Sequence, residues 1–509
     1  MDREWREAAD LRPSHVGLAL ALLAAALLRF WALGYGLPYS PGVDEPEIVV
    51  RAVRMIQTGD FNPHFFFYPS LYIYVQVIVA VARFIFGAIR GEFPTLGSAT
   101  PVDFYLWGRA VTALFGVATV YLLHLAGLRW GARTALLSAA LLAVMPLHVR
   151  ESHFVLADVP VTFFVTLTFL LSLVAHERST LGSFVAAGAA AGLATATKYN
   201  GVLALVLPLI ACWMTPGVRP TRMRVSYAVL AASGVCFLVA VPYSVLDLPT
   251  FLDFFARLSS AYQHTTSMEQ QLVTYLKHLR NAWHWPASLM IIGGLLLGLV
   301  RTLKGPGRIK WTLLIVFPAL YLAFVSRQSL LYARYLLPIL PFLALLGGAA
   351  VVSGVSLLRR YEIPRQVRSA LIVALVLLAI APPAYTSIGF DLMVSKVWTT
   401  KLAYDWIQHE IPKGSKILIE TQELQITANY RVDHVPQLWR APVESYAASG
   451  TDYIIASSQA YGPFVSNPQG YPEQYTAYSR LFQATREVAR FTPSRVHPGP
   501  ELRILRVDR

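Results

Sequence analysis

Apolar runs long enough to cross a bilayer dominate this chain. A spanning helix needs about 20 mostly apolar residues. Eleven runs meet or approach that length: 14–34, 105–126, 133–149, 154–175, 183–198, 199–215, 225–243, 285–301, 311–326, 334–353 and 368–386. Hydrocarbon offers no water to bond backbone groups, so such runs are expected as α-helices. Composition agrees. Of 509 residues, 55% are hydrophobic and only 14% charged, against about 25% charged in soluble domains. An ordinary cytosolic protein, a disordered chain and a disulfide scaffold are thereby excluded. The two cysteines, Cys212 and Cys236, lie inside apolar runs and imply neither a disulfide nor a metal site.

The net charge of +14 would suggest nucleic acid in a soluble protein. Here the basic residues sit in short gaps between apolar runs, as expected of loops retained on the cytoplasmic side. With a cytoplasmic N-terminus and eleven spans, one side receives Arg129/Arg133, His176–Arg178, Arg219/Arg222/Arg224, Arg301/Lys304/Arg308/Lys310 and Arg359/Arg360/Arg365/Arg368. That assignment holds only if a twelfth apolar stretch, 71–87, does not cross. It contains Gln76 and Arg83 and follows Tyr68-Pro69, so it is expected as an amphipathic helix on the outer surface. The first run, short and Ala-rich, also reads as a signal-peptide core.

The outer face then carries the loop 35–104, the turn 148–153, the loop 244–284 and everything after 386. In that last part KILIETQ (416–422), YIIASS (453–458) and ELRILRV (501–507) read as strands. KLAYDWIQHEI (401–411) reads as a helix, ended by Pro412-Lys413-Gly414. The expected fold is a polytopic α-helical membrane module, 1–386, with an outer catalytic loop, followed by an extracytoplasmic soluble α/β domain, 387–509.

Four places carry candidate chemistry. Asp44-Glu45 pairs two carboxylates just beyond the first span. They suit a helix start with Asp44 as cap and Pro46 in the first turn, or a general base at the membrane surface. HVRESHFVLADVPVTFF (148–164) gathers His148, Arg150, Glu151, His153 and Asp158. A carboxylate at the lip of a span costs about 2.5–3.5 kcal/mol, so Asp158 needs a partner or a wet cavity. His153 and Glu151 are weak metal candidates, because their spacing fits no strong ligand pattern. Lys198, in ATATKYNG, is either a snorkelling lysine or a cation for a lipid-linked phosphate. Arg334 and Arg109 fall at outer ends of spans, against the charge trend, where a guanidinium fork suits phosphate oxygens. His64, Tyr199 and Tyr335 are further candidates for substrate contact, alongside His153. In the C-terminal domain Tyr461, Tyr471, Tyr475 and Tyr478 suit either sugar stacking or an ordinary core.

GVDEPE, GDFNPHFFFYPSLYIY, HVRESHFVLADVPVTFF, TKYNG and ARYLLPILPFLALLGG together resemble the GT-C superfamily of integral membrane glycosyltransferases. The branch they resemble most includes dolichyl-phosphate-mannose protein mannosyltransferases and the aminoarabinose transferase of lipid A. The resemblance spans roughly residues 10–355. It implies about eleven to thirteen spans, two outer juxtamembrane helices with 71–87 as the second, and transfer of a sugar from a polyprenyl-phosphate carrier to an acceptor hydroxyl, usually with inversion. It further implies Asp44 as the base with Glu45 beside it, Glu151 and Asp158 as a second acidic motif, and Lys198, Arg334 and Arg109 near the carrier phosphate. The aminoarabinose transferases carry a Glu-Lys pair before the second juxtamembrane helix. Here the stretch reads Phe67-Tyr68-Pro69-Ser70, which argues against lipid A as acceptor.

The expected partners are the bilayer, the polyprenyl-phosphate sugar and an acceptor of open identity (protein, glycan or lipid), with no nucleic acid. No cofactor is required, and a divalent metal is left open. The expected location is a plasma or inner membrane. A carrier-linked sugar transporter and a non-catalytic accessory protein of the same fold are the competing readings. The first expects inverted repeats and broken helices, of which no long repeat is visible.

Overall fold

The computed structural model describes residues 15–39, 42, 44–261, 267–303, 307–358, 360–420, 424–426 and 429–508. The chain divides into two compact units. One comprises residues up to Leu33 together with Glu47–Phe390; the other comprises Gly34–Pro46 together with the chain from Asp391 onward.

The first unit is helical: α1 (His15–Phe30), α2 (Pro46–Thr58), α3 (Leu71–Ile89), α4 (Tyr105–Gly127), α5 (Ala132–Ala143), α6 (Pro146–Glu151), α7 (Asp158–Arg178), α8 (Leu181–Thr197), α9 (Val206–Met214), α10 (Arg222–Ala240), α11 (Leu248–Ala261), α12 (Met268–Leu303), α13 (Arg308–Val325), α14 (Leu340–Leu358) and α15 (Arg365–Val394). Every one of the eleven expected runs carries a helix. Among the described residues, eight helical segments are long and apolar enough to cross a membrane, and four further apolar helices are shorter. Helix α3 is among the eight: it runs 19 residues and extends past the expected end at 87.

Three local departures have simple causes. The run 133–149 is not one helix: α5 stops at Ala143 and α6 restarts at Pro146, whose fixed φ and missing N–H suit a first helical position. The expected loop 244–284 is largely helical, because FLDFFARL places Phe251, Phe254 and Phe255 on one face of α11. The run 285–301 is the second half of α12, which breaks at His284 (φ 58°) just before Pro286.

Chain direction sets the two ends of the bundle. At one end, where α4 and α7 finish and α13 begins, Arg129 Nε donates to Glu177 Oε1 at 2.8 Å. There Lys310 Nζ also reaches the Arg129 carbonyl at 2.5 Å. Three of the basic gaps thus meet in space. At the other end α7 begins and α8 finishes. The thin helix α8 presents Gly188 and Gly192 to α10, where an added side-chain carbon would strike the backbone of Val229 or Ser233. Small residues four apart let two apolar helices approach closely.

The second unit is built on a five-stranded sheet of order β2-β1-β3-β5-β4: β1 (Lys416–Glu420), β2 (Arg431–Val435), β3 (Tyr453–Ser457), β4 (Arg486–Phe491) and β5 (Leu502–Arg506). β1 runs parallel to β2 and β3, whereas β5 is antiparallel to β3 and β4. The three strands expected from sequence are the buried central ones. β2 and β4 are edges, with charged, largely unburied sequences (RVDHV and REVARF) that carry little apolar signal. Helix α16 (Thr399–Glu410) matches its expectation. Tyr478 and Tyr461 are core aromatics, whereas Tyr471 and Tyr475 are exposed. Tyr478 and the backbone N–H groups of Leu438 and Ser457 donate to the buried Glu420 carboxylate, whose burial pushes its pKa up.

The α8–α10 contact yields a prediction. Gly192→Leu should cost at least about 1–3 kcal/mol through overpacking. A lowered thermal midpoint of the purified protein checks it; an unchanged midpoint means the helices are not packed this closely.

Candidate functional site

Helices α7 and α8 run antiparallel, so the start of one lies beside the end of the other. Asp158 is the first residue of α7, where the helix dipole favours a negative charge. Lys198 follows the last residue of α8 in an extended conformation, where a positive charge is favoured. Lys198 Nζ donates to Asp158 Oδ1 at 2.6 Å, and both side chains are nearly buried, 11% and 6% exposed. Arg334 comes from a 3₁₀ segment, Ala333–Ile339, that leads into α14. Its Nε lies 3.9 Å from Asp158 Oδ2. The next residue, Tyr335, places its ring 4.5 Å from Lys198 Nζ, and Arg334 lies over the Tyr332 ring at 4.7 Å.

Glu151, at the end of α6, is buried and takes Arg150 Nε and Nη2 at 2.8 and 2.5 Å. Burial pushes its carboxyl up; Arg150 opposes this most, the Asp158 charge adds to it, and Arg334 opposes it. Asp158, Glu151, Lys198, Arg334 and Arg150 therefore form one electrostatic cluster. It stays net positive whether or not Glu151 is ionised. Lys198 and Arg334 are 11% and 19% exposed, so solvent screens their attraction for an anion less than that of the exposed Arg150.

A cavity of about 210 Å³ opens beside Lys198, lined by Phe67, Tyr68, Tyr199, Asn200, Tyr335 and Phe255 among others. Tyr199 Oη donates to the Phe66 carbonyl at 2.8 Å, tying the segment between α2 and α3 to the lysine's segment. Asn200 Nδ2 donates to Tyr321 Oη at 2.6 Å. The Tyr199 ring stands edge-on to Phe255 at 5.7 Å, and Phe67 meets Phe254 at 5.0 Å. Sequence reasoning did not single out this aromatic wall of α11. Its spacing of three and four residues between phenylalanines was the available signal.

Arg109, His153 and His64 lie elsewhere in the first unit. Arg109 is fully buried and donates to the Leu33 carbonyl at 2.8 Å, with its guanidinium 5.9 Å from the Phe154 ring. His153 is fully buried; Nδ1 faces the Val149 carbonyl and Nε2 the Trp31 carbonyl, each at 2.9 Å. Burial lowers its pKa. With Glu151 engaged by Arg150 and both His153 nitrogens facing carbonyls, these two do not converge on a metal position. Among the described residues no group of three or more His, Cys, Asp or Glu is arranged to hold an ion. His148, also in the 148–164 motif, meets the buried Arg29 at 3.0 Å; Arg29 also bonds the Leu142 and Ala143 carbonyls and so fastens α1 to α5. His64 pairs with Asp60 at 2.8 Å on an exposed turn.

Asp44 and Glu45 belong to the second unit. Glu45 is fully buried and accepts the Gly42 N–H at 2.6 Å, so it closes its own turn. Asp44 is the partly exposed member of the pair. The segment ahead of them is held by the small domain: the Gln425 N–H donates to the Tyr39 carbonyl at 2.6 Å. The Tyr39 ring packs on Tyr404 at 4.3 Å and beneath Lys401 at 4.9 Å.

Residues 73–256 match the family model of dolichyl-phosphate-mannose-protein mannosyltransferase. That segment contains Arg109, Glu151, Asp158 and Lys198, but not Asp44 or Arg334. A search of curated proteins found no match. Among solved structures, an oligosaccharyltransferase from Archaeoglobus fulgidus in the apo form is similar with a TM-score of 0.59 and 13% identity. The match covers 93% of this chain and 72% of that one. ArnT from Cupriavidus metallidurans in the apo state is similar with a TM-score of 0.57 and 16% identity, over 97% and 98% of the two chains. The same ArnT bound to undecaprenyl phosphate gives 0.55 and 17%, over 96% and 97%. At these identities the likeness is one of fold. The chain thus has the GT-C fold, and residues 73–256 within it are similar to the protein-mannosyltransferase family model.

Proposed function

We propose that this protein transfers a hexosyl or pentosyl group from a polyprenyl-phosphate carrier to an acceptor hydroxyl on the extracytoplasmic face of a plasma or inner membrane. The observation that carries the proposal is the Asp158–Lys198–Arg334 group beside an aromatic-lined cavity. Two cations approach one carboxylate there, which concentrates positive charge beside the cavity where a phosphate would be favoured. The fold relatives support this reading. One is ArnT bound to undecaprenyl phosphate, and another is the Archaeoglobus fulgidus enzyme with a dolichol-phosphate and an inhibitory peptide.

The mechanism is a single displacement. Asp44 takes the proton of the acceptor hydroxyl. The hydroxyl oxygen forms a bond to the anomeric carbon as the bond from that carbon to the phosphate oxygen breaks. The electron pair leaves with the polyprenyl phosphate, whose charge Lys198 and Arg334 stabilise. Phosphate is a good leaving group and needs no proton from a strong acid. Asp158 acts as a positioning residue that fixes the lysine. Tyr199 and Tyr335 shape the cavity, whereas Arg109, His153 and Glu45 hold the surrounding backbone.

Two predictions follow from these roles. With a panel of polyprenyl-phosphate sugars, release of free polyprenyl phosphate should occur for one donor. Asp44→Asn should lower it about 100- to 10,000-fold, the usual range for a lost general base, without loss of fold. Near-normal release by that variant would remove Asp44 from the mechanism. Lys198→Met should cost up to about 3–5 kcal/mol of stability, because it leaves the buried Asp158 carboxylate with only the more distant Arg334. Adding Asp158→Asn should recover much of that stability but not the activity. A double variant that regains turnover would reduce the pair to a structural brace.

A further inference from the structure

A second feature lies at the opposite end of the bundle and does not depend on the proposed reaction. A groove of about 670 Å³ runs between α1, α5, α14 and α15. Its space comes from small side chains: Gly17, Ala21 and Ala24 on α1 and Ala140 on α5 leave a channel that Val352 and Val376 face from the other side. Leu20 and Val376 remain partly exposed along it, so it opens on the flank of the bundle. Its wall is aliphatic except at one end, where Arg133 contributes. Ile372 also lines that end. Arg368 stands one turn earlier on α15, four residues before Ile372 and therefore on the same face.

The dimensions identify a class of occupant. Arg133 and Ala143 both line the groove. Ten residues separate them, which is ~15 Å at 1.5 Å per residue. Half of the hydrocarbon core is also ~15 Å. The α5 wall of the groove is therefore about as long as one leaflet is deep, with Arg133 at its end. Arg133 in the wall, with Arg368 one turn before Ile372 on the same face of α15, complements a headgroup phosphate, and the aliphatic remainder complements an acyl chain. A polyprenyl chain, longer than one leaflet, would overrun the groove.

We propose that this groove is a binding site for one anionic phospholipid. The phosphate sits between Arg133 and Arg368, and an acyl chain lies along Ala140 and Val376. The site secures α1 and α15 to the bundle from the leaflet opposite the Asp158–Lys198 end.

Native mass spectrometry of the full chain in detergent, titrated with phosphatidylglycerol and with phosphatidylcholine, tests this. Phosphatidylglycerol should bind at least about tenfold tighter, since each interfacial Arg favours an anionic lipid. Arg133→Gln with Arg368→Gln should bring it to the phosphatidylcholine level. Arg368→Gln alone, on the open rim, should produce part of the loss without risk to folding. Ala140→Phe should weaken both lipids by filling the channel. Equal binding of the two lipids, or an unchanged preference in the arginine variants, would overturn the proposal. So would displacement of phosphatidylglycerol by added polyprenyl phosphate.

Discussion

The buried Asp158–Lys198 pair is the interaction on which the arrangement of the end where α7 begins and α8 finishes rests. Neither charge is tolerable alone inside an apolar bundle. Together they fasten the first turn of α7 to the last turn of α8, and each sits where its helix dipole favours it. Arg334 approaches the second carboxylate oxygen from a 3₁₀ segment of a distant helix. Three separate stretches of chain thereby converge on one carboxylate. Tyr335 and Tyr199, neighbours in sequence of two of these charges, inherit their positions from that convergence. Lys198 and Arg334 together concentrate positive charge around Asp158 at this end of the bundle.

The division of the chain adds a second constraint. The acidic segment after α1 packs with the C-terminal domain through Tyr39, although about 350 residues of helical bundle separate the two in sequence. The small domain is therefore more than an appendage: it grips the stretch that carries Asp44. Glu45 satisfies the turn internally, which leaves Asp44 as the more accessible carboxylate. A division of labour between adjacent acids is chemically reasonable, since a base must reach substrate and a turn-closing carboxylate cannot.

Much of this was legible in the sequence, for physical reasons. Apolar runs must be helical in lipid, so all eleven appeared. The buried strands β1, β3 and β5 were visible through their apolar content. Asp158, Lys198 and Arg334 stood out because charges at the ends of apolar runs require compensation. The rest was hidden because it depends on contacts. β2 and β4 are edge strands with charged sequences. Pro146 divides an apolar run without changing its hydropathy. The bonds of Arg109 to the Leu33 carbonyl and of His153 to the Trp31 carbonyl join stretches far apart in sequence and left no local signal. The pairing of Tyr39 with the distant domain left no mark in local sequence. The Phe251–Phe255 wall did leave a periodic mark, one that the surrounding polar residues obscured.

The central claim is that the cation group around Asp158 holds the phosphate of a polyprenyl carrier. Equilibrium binding of polyprenyl phosphate to the protein in nanodiscs, compared with Arg334→Gln at low and high salt, addresses it directly. The account predicts saturable binding that weakens in the variant and with ionic strength, as a charge–phosphate contact requires. Equal affinity of both proteins at both salt concentrations would contradict it and place the carrier phosphate elsewhere.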